Sequence, residues 1–272
     1  MRIKIFSCHH QVPAEPLMTS LFATLVSGEP SDPNGRFLGD LDGPNIATRN
    51  EHSELRLHYH VWKHLLPHYD YVGFEHYRRL FFLDPIPSAE MSARYPFFHG
   101  LRRHFQRDQG AGFTELTPAE FSAYQSMRRN FDAQSVKRLK AWISDHDVIT
   151  LRPFAPAPLD EQWHTTGVAP YWDQLIAAMR AHSYFQDRPA EFDVSLNQPS
   201  YCNMYIMRAE LFDEYMRFWL EAMTLLAASL TITPRLLGHF AERVFNFFLM
   251  QKRVENPLLR VSRLPFLLLN QS

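Results

Sequence analysis

The chain has 272 residues, 46% of them hydrophobic and 21% charged, which is enough apolar material for one large α/β domain and excludes disordered and fibrous classes. Its 28 basic and 29 acidic residues leave a net charge of −1, so no overall field holds a polyanion, and the balance argues against nucleic-acid binding. Cys8 and Cys202 lie far apart and form no C-x-x-C, which rules out a disulfide framework and a cysteine zinc site and fits a reducing cytoplasm.

In chain order, residues 2–7 alternate polar and apolar side chains before His9 and His10, which predicts a first strand ending in a polar loop, where ligands commonly sit. Ser27 to Pro44 is loop by composition and holds four of the ten glycines. Thr48-Arg49-Asn50-Glu51 matches a capping box, and Leu55, Tyr59, Trp62 and Leu66 follow at helical spacing, predicting a helix over about 50–65. Residues 69–74 predict a buried strand that delivers Glu75-His76-Tyr77-Arg78-Arg79 at its end. The stretch 84–109 lacks periodicity and reads as an insertion or surface segment. Thr117-Pro118-Ala119-Glu120 starts a helix over 118–130, Val148 to Leu151 form a strand, and a further helix covers 169–182. Residues 201–207 read as a strand with Asn203 inside it, followed by helices over 209–228 and from Thr233-Pro234. In the latter, Leu237, Phe240, Val244 and Phe247 face inward, with His239, Glu242, Arg243 and Asn246 on the other side. A last strand spans 259–264. Alternating strands and helices imply a mostly parallel central sheet with helices on both faces.

No G-x-G-x-x-G or G-x-x-x-x-G-K-[ST] occurs, which disfavours Rossmann and P-loop sites. No apolar run approaches the roughly 20 residues needed to cross a bilayer, and the start lacks a signal-peptide core, so a soluble protein is expected. Of the chemical constellations, two adjacent arginines at a strand end, Arg78 and Arg79, can neutralise a diphosphate, with His76 and Glu75 as proton-transfer groups. Asp40 and Asp42 have the spacing to hold a divalent cation such as Mn or Mg. Asn50, Glu51, Ser53 and Glu54 serve equally as helix-start residues. His52, His58, His60, His64, His68 and His76 fall within 25 positions, and the i, i+4 pair His60 and His64 leaves a zinc hydrolase as a distant alternative to a half-packed histidine face.

The segments Asn45-Ile46-Ala47-Thr48-Arg49-Asn50, Ser53-Glu54-Leu55 and Trp62-Lys63, then Tyr69 to Gly73 with His76-Tyr77-Arg78-Arg79, resemble a bacterial family of capsular and exopolysaccharide glycosyltransferases known as domain of unknown function 4422. Asp147-Val148-Ile149, Glu161-Gln162-Trp163, Asn203-Met204-Tyr205, Phe212-Asp213-Glu214-Tyr215, Arg235, Gly238, Glu242 and Arg243 follow in the same order. The resemblance covers essentially the whole chain, with 84–140 as a loosely matching insertion, and implies a single GT-A-like domain over 1–272. It further implies sugar transfer from a nucleotide-diphosphate donor of the UDP-sugar type to a lipid-linked or growing glycan during bacterial surface polysaccharide synthesis. The same likeness places the work in the cytoplasm, the face of the inner membrane included, and a noncatalytic carbohydrate-binding or scaffold protein of the same fold is the rival reading. By the resemblance the catalytic set is His76, Arg78, Arg79 and Glu242, joined by Glu75 on position alone, and the donor-binding set is Asn45, Asn50, Ser53, Glu54, Tyr77, Asn203, Arg235 and Arg243. A D-x-D is missing at the Glu75 strand end, and Pro44 and Ala47 depart from the pattern, which leaves metal dependence open.

Overall fold

The computed structural model describes residues 1–84, 96–108, 111–153, 157–164, 168–186, 188 and 199–270. Strand β1 (Ile3–His9) lies between β2 (Phe22–Val26) and β4 (Tyr71–His76), parallel to both, and β2 carries the short β3 (Leu38–Gly39) at the sheet edge. A turn at Tyr77 and Arg78 leads from β4 into antiparallel β5 (Arg79–Phe81), which pairs with β10 (Phe266–Leu269), itself parallel to β6 (Phe113–Leu116). Over Tyr71 to Phe74, β4 also pairs antiparallel with β8 (Tyr205–Arg208), and the sheet continues through β7 (Val148–Leu151) to β9 (Val261–Leu264). Among the described residues parallel pairings outnumber antiparallel ones, so the mostly parallel α/β sheet expected from the sequence is present.

The central strands are buried on both sides, which their continuous apolar runs dictate. Gly73 is required there: a Cβ would stand 2.7 Å from Cγ1 of Ile206 and 3.2 Å from Cγ1 of Ile5. The run Phe22–Val26, unassigned from the sequence, is one of these buried strands.

The segment expected as one helix over 50–65 is broken into four pieces. Asn50–His52 is a 3₁₀ turn, α1 (Leu55–His60) is short, Val61–Leu65 widens into a π turn, and Leu66–His68 closes as 3₁₀ around Pro67. The Thr48 capping box does not form because Glu51 pairs with Arg49 instead. The box at Thr117 does form, with Thr117 and Glu120 bonding reciprocally at the start of α3 (Pro118–Arg129). The stretch 84–109, expected to be irregular, carries α2 (Phe97–Arg107), while 85–95 and 109–110 lie outside the described residues. Phe98, Phe105, Phe121, Tyr124 and Met127 of α2 and α3 pack with Leu80, Leu116 and Leu267 in a second core.

Further along come α4 (Ala133–Ser144), α5 (Leu159–His164), α6 (Trp172–Ala181), α7 (Ser183–Gln186), α8 (Ala209–Ser229) and α9 (Leu236–Glu255). Trp163, Trp219, Phe212, Phe240, Val244 and Phe247 are buried in the main core that α8 and α9 share with the sheet, each contributing about 1.5–3 kcal/mol. Arg243 and Asn246, expected on the outer side of α9, are buried as well. No helix among the described residues is long and apolar enough to cross a membrane.

Two junctions position the cleft. Residues 201–204 are not strand as expected: Cys202 (φ 70) and Asn203 (φ 50) turn left-handed before β8 begins at Tyr205. Arg235 (φ 66) caps α9 with its N–H on the Asn50 carbonyl at 3.2 Å, so this helix starts two residues later than Thr233-Pro234 suggests. Gly238 lets the first turn of α9 approach Ser53, whose Oγ would lie 2.6 Å from a Cβ there.

Candidate active site

Because β1, β2 and β4 run parallel, their carboxyl ends open on one side, where the backbone can no longer pair and polar side chains collect. A cavity of about 440 Å³ lies there, lined by Cys8, His9 and His10 after β1, Ser27 after β2, and His76, Tyr77 and Arg78 of the β4–β5 turn. Asn50, Ser53, Glu54, Arg56 and Leu57 form another wall, and Pro234 and Arg235 close it.

The Tyr77 ring anchors one end. His76 lies 4.3 Å and His10 4.6 Å from it, centroid to centroid, and the Arg78 guanidinium lies 5.2 Å from its centre. His76 Nδ1 accepts the backbone N–H of Arg78 at 3.3 Å, and Ser7 Oγ meets His9 Nε2 at 3.1 Å. Burial lowers His76 to about 3, with Arg79 and Arg78 pushing the same way, and lowers His9 to about 4. Both imidazoles are therefore neutral at pH 7, and the positive charge comes from Arg56, Arg78 and Arg235. His76 is a weak proton acceptor but a stable hydrogen-bonding wall.

Arg56 fixes the α1 side, its Nε donating to the Ser53 carbonyl at 3.0 Å and its Nη1 to Asn50 Oδ1 at 2.8 Å and to the Ala47 carbonyl. Behind that wall, the Asn203 amide donates to Glu54 Oε1 at 2.8 Å and to the Gly238 carbonyl at 3.3 Å, tying α1, the left-handed turn and α9 together.

A second cavity of about 520 Å³ lies across Pro234, which borders both. Arg79, Gln162, Tyr171, Tyr201, Cys202, His239, Glu242 and Arg243 line it. Arg243 donates to Glu242 Oε2 at 2.6 Å, to the His239 carbonyl at 2.9 Å and to Gln162 Oε1 at 2.9 Å, with its guanidinium 5.1 Å from the Trp163 and Tyr201 ring centres. The other Glu242 oxygen accepts the Cys202 backbone N–H at 3.1 Å. Flat aromatic faces beside planar hydrogen-bonding groups suit a sugar ring with its hydroxyls.

Of the residues singled out from the sequence, Asn50, Ser53, Glu54, His76, Tyr77, Arg78 and Arg235 thus meet in the first cavity and Arg79, Glu242 and Arg243 in the second, with Asn203 between. The others do not reach the cleft. Glu75 is sealed in the core, its Oε2 2.6 Å from Arg128 Nη2 and its Oε1 accepting the Phe81 N–H at 2.8 Å; burial pushes its carboxyl up against the pull of Arg128. A group without access to solvent or cleft cannot exchange protons with a substrate. Asn45 is exposed and closes its own turn, accepting from Ala47 N–H and donating to the Gly43 carbonyl.

Asp40 and Asp42 likewise form no cation site. Asp40 is fully buried and holds the Gly28 N–H at 2.6 Å, whereas Asp42 is exposed and accepts the Ser31 N–H. The histidines diverge too: His64 bonds the Pro44 carbonyl, His58 the Tyr205 hydroxyl, and His52 packs on Trp219. Among the described residues, no three His, Cys, Asp or Glu side chains converge as metal ligands. Sequence reading passed over Arg56, Tyr171 and Tyr201 as site residues; only His9-His10 after a strand and Gln162 within Glu161-Gln162-Trp163 carried a signal.

The buried histidines make acid stability testable. Burial lowers His52 and His60 to about 4 and His58 to about 3, from an ordinary value of 6.5. Above pH 6.5 these groups are neutral folded and unfolded and contribute no slope. Below it the unfolded chain takes up protons that the folded chain refuses, so stability falls by up to about 1.4 kcal/mol per pH unit for each histidine until the folded values are reached. The melting temperature is expected to be level between pH 8 and 7 and to drop steeply from pH 6.5 to 5; a level profile through pH 5 contradicts this reading.

The sequence matches the profile of a family described as a domain of unknown function, DUF4422, over residues 4–253. No curated protein matches significantly. Among solved structures, a chain described as the apo structure of the bifunctional glycosyltransferase WbbM superposes with a TM-score of 0.71 at 20% identity. The alignment covers 100% of this chain and 46% of WbbM, so the chain spans about half the length of that neighbour, and the likeness is one of fold.

Proposed function

The chain belongs to the DUF4422 family, and from that membership and the paired cavities at its strand ends we propose that it is a glycosyltransferase acting on a nucleotide-diphosphate sugar. The observation that carries the reading is the adjoining of a cationic cavity, walled by a histidine-flanked tyrosine, and an aromatic polar one across Pro234. A nucleobase fits against Tyr77 with His9 and His10. The diphosphate then lies toward Arg78 and Arg235, close to the positive end of the 20-residue α9. As the bond to the sugar breaks, the nucleotide diphosphate gathers negative charge, and fixed guanidinium groups stabilise that charge without reorganising. The second cavity receives the hydroxyl-bearing acceptor.

Within this proposal the donor is of the UDP-sugar type, the acceptor a lipid-linked or growing surface glycan, and the place the cytoplasmic face of a membrane, with 1–272 acting as one domain. The arginines take the charge-neutralising part, since Asp40 and Asp42 do not converge on a manganese or magnesium ion. The fold likeness to WbbM supports the reading at the level of architecture. Calorimetry with UDP, in manganese and in EDTA, tests it. Binding is expected in both buffers, with stabilisation of about 2.7 kcal/mol at 100 times the dissociation constant. No binding of UDP or any other nucleoside diphosphate in either buffer rejects the proposal.

A further inference from the structure

We propose that Glu54 is the carboxylate that accepts the proton of the attacking acceptor hydroxyl, an inference that rests on the transferase reading above. Among the described residues, the carboxylates lining the two cavities are Glu54 in the first and Glu242 in the second. Glu242 has both oxygens committed, one to the Cys202 N–H and the other to Arg243. Glu75 and Asp40 are buried behind the cleft and held by Arg128 and by the Gly28 N–H. Glu54 differs from all three. Its Oε1 is held by Asn203, while no other side chain among the described residues takes its second oxygen.

The local backbone makes that carboxylate a fixed object. Ser53 (φ 50) and Asn203 (φ 50) are both held left-handed without being glycine, a strain retained only where the surroundings over-determine it. One strained residue directly precedes Glu54, and the other hydrogen-bonds it. Asn203, which holds Glu54 of the first cavity, directly follows Cys202 of the second, so this carboxylate stands beside the boundary between the two. Burial keeps its carboxyl above the ordinary carboxylate range, which makes it a stronger proton acceptor than an exposed one.

In the step this assigns, the acceptor hydroxyl oxygen forms a bond to the anomeric carbon of the donor sugar, and the bond from that carbon to the phosphate oxygen breaks. The electron pair leaves with the nucleotide diphosphate, and the hydroxyl proton passes to Glu54. Water in place of the acceptor follows the same course, so the step can be read from UDP release alone.

The test compares wild type, Glu54→Gln and Glu54→Asp for UDP affinity by calorimetry and for UDP release from UDP-glucose, UDP-galactose and UDP-N-acetylglucosamine. Glu54→Gln keeps an acceptor for the Asn203 amide, so folding and a UDP dissociation constant within about threefold are expected, with release slowed about 100- to 10,000-fold. Glu54→Asp, which keeps the charge but withdraws it by one methylene, is expected to lose about tenfold or more at unchanged UDP affinity. Release within threefold of wild type in both variants overturns the assignment. So does a loss of UDP affinity parallel to the loss of release, which makes Glu54 a donor contact. A wild-type chain that neither binds UDP nor releases it rejects the transferase reading itself, and the assignment with it.

Discussion

Glu75→Ala is expected to remove about 3–5 kcal/mol of folding stability, a large share of the 5–15 kcal/mol typical of a domain. The reason lies in what the substitution leaves behind. Arg128 is 1% exposed, stacks at 3.9 Å from the Phe22 ring centre, and already has Nε and Nη1 without hydrogen-bond partners. Removing its carboxylate strands a guanidinium in the core, and the Phe81 N–H loses its acceptor as well. The double variant Glu75→Leu with Arg128→Met is expected to be more stable than Glu75→Ala, because the charge and its desolvation cost leave together. Urea unfolding of the three proteins checks both statements. A single variant within 1 kcal/mol of wild type shows that the pair is not holding the β4–β5 hairpin.

Arg78→Ala is expected to slow sugar transfer about 100- to 1000-fold while changing stability by about 1 kcal/mol or less. Arg78 sits in the turn after β4, in the wall of the first cavity, where the departing diphosphate gains charge. Groups aimed at developing charge act on the transition state more than on ground-state binding, so turnover falls more than UDP affinity. Arg78→Lys keeps the charge but loses the planar fork, and an intermediate loss is expected. Arg79→Ala alters the second cavity and is expected to raise the acceptor KM above all. Near-normal transfer by both alanine variants reduces the two arginines to architecture.

The outline of this molecule could be read from periodicity, and its exceptions trace to long-range partners. The α3 cap was legible because Thr117 and Glu120 satisfy each other locally. The identical spacing at Thr48 and Glu51 failed because a neighbouring arginine captured the acid. A carboxylate at a strand end looks the same in sequence whether it faces cleft or core, and Arg128 is 53 positions from Glu75. The run Tyr201 to Met207 has β composition, and no glycine announces that Cys202 and Asn203 turn left-handed. The second cavity is assembled from separate stretches of chain, and only Leu236, His239, Glu242 and Arg243 of it share a helix that its own pattern revealed.

Arg78 and Arg79 are neighbours in the chain yet serve different cavities, because the tight turn and the following strand present successive side chains to opposite sides. The length of this hairpin is thus information in its own right. Exchanging one arginine for another residue edits one chamber, whereas adding or deleting a single residue between His76 and Leu80 would swap inside for outside and rewire both chambers at once. A changed side chain at this corner damages one chamber, and a changed residue count damages both.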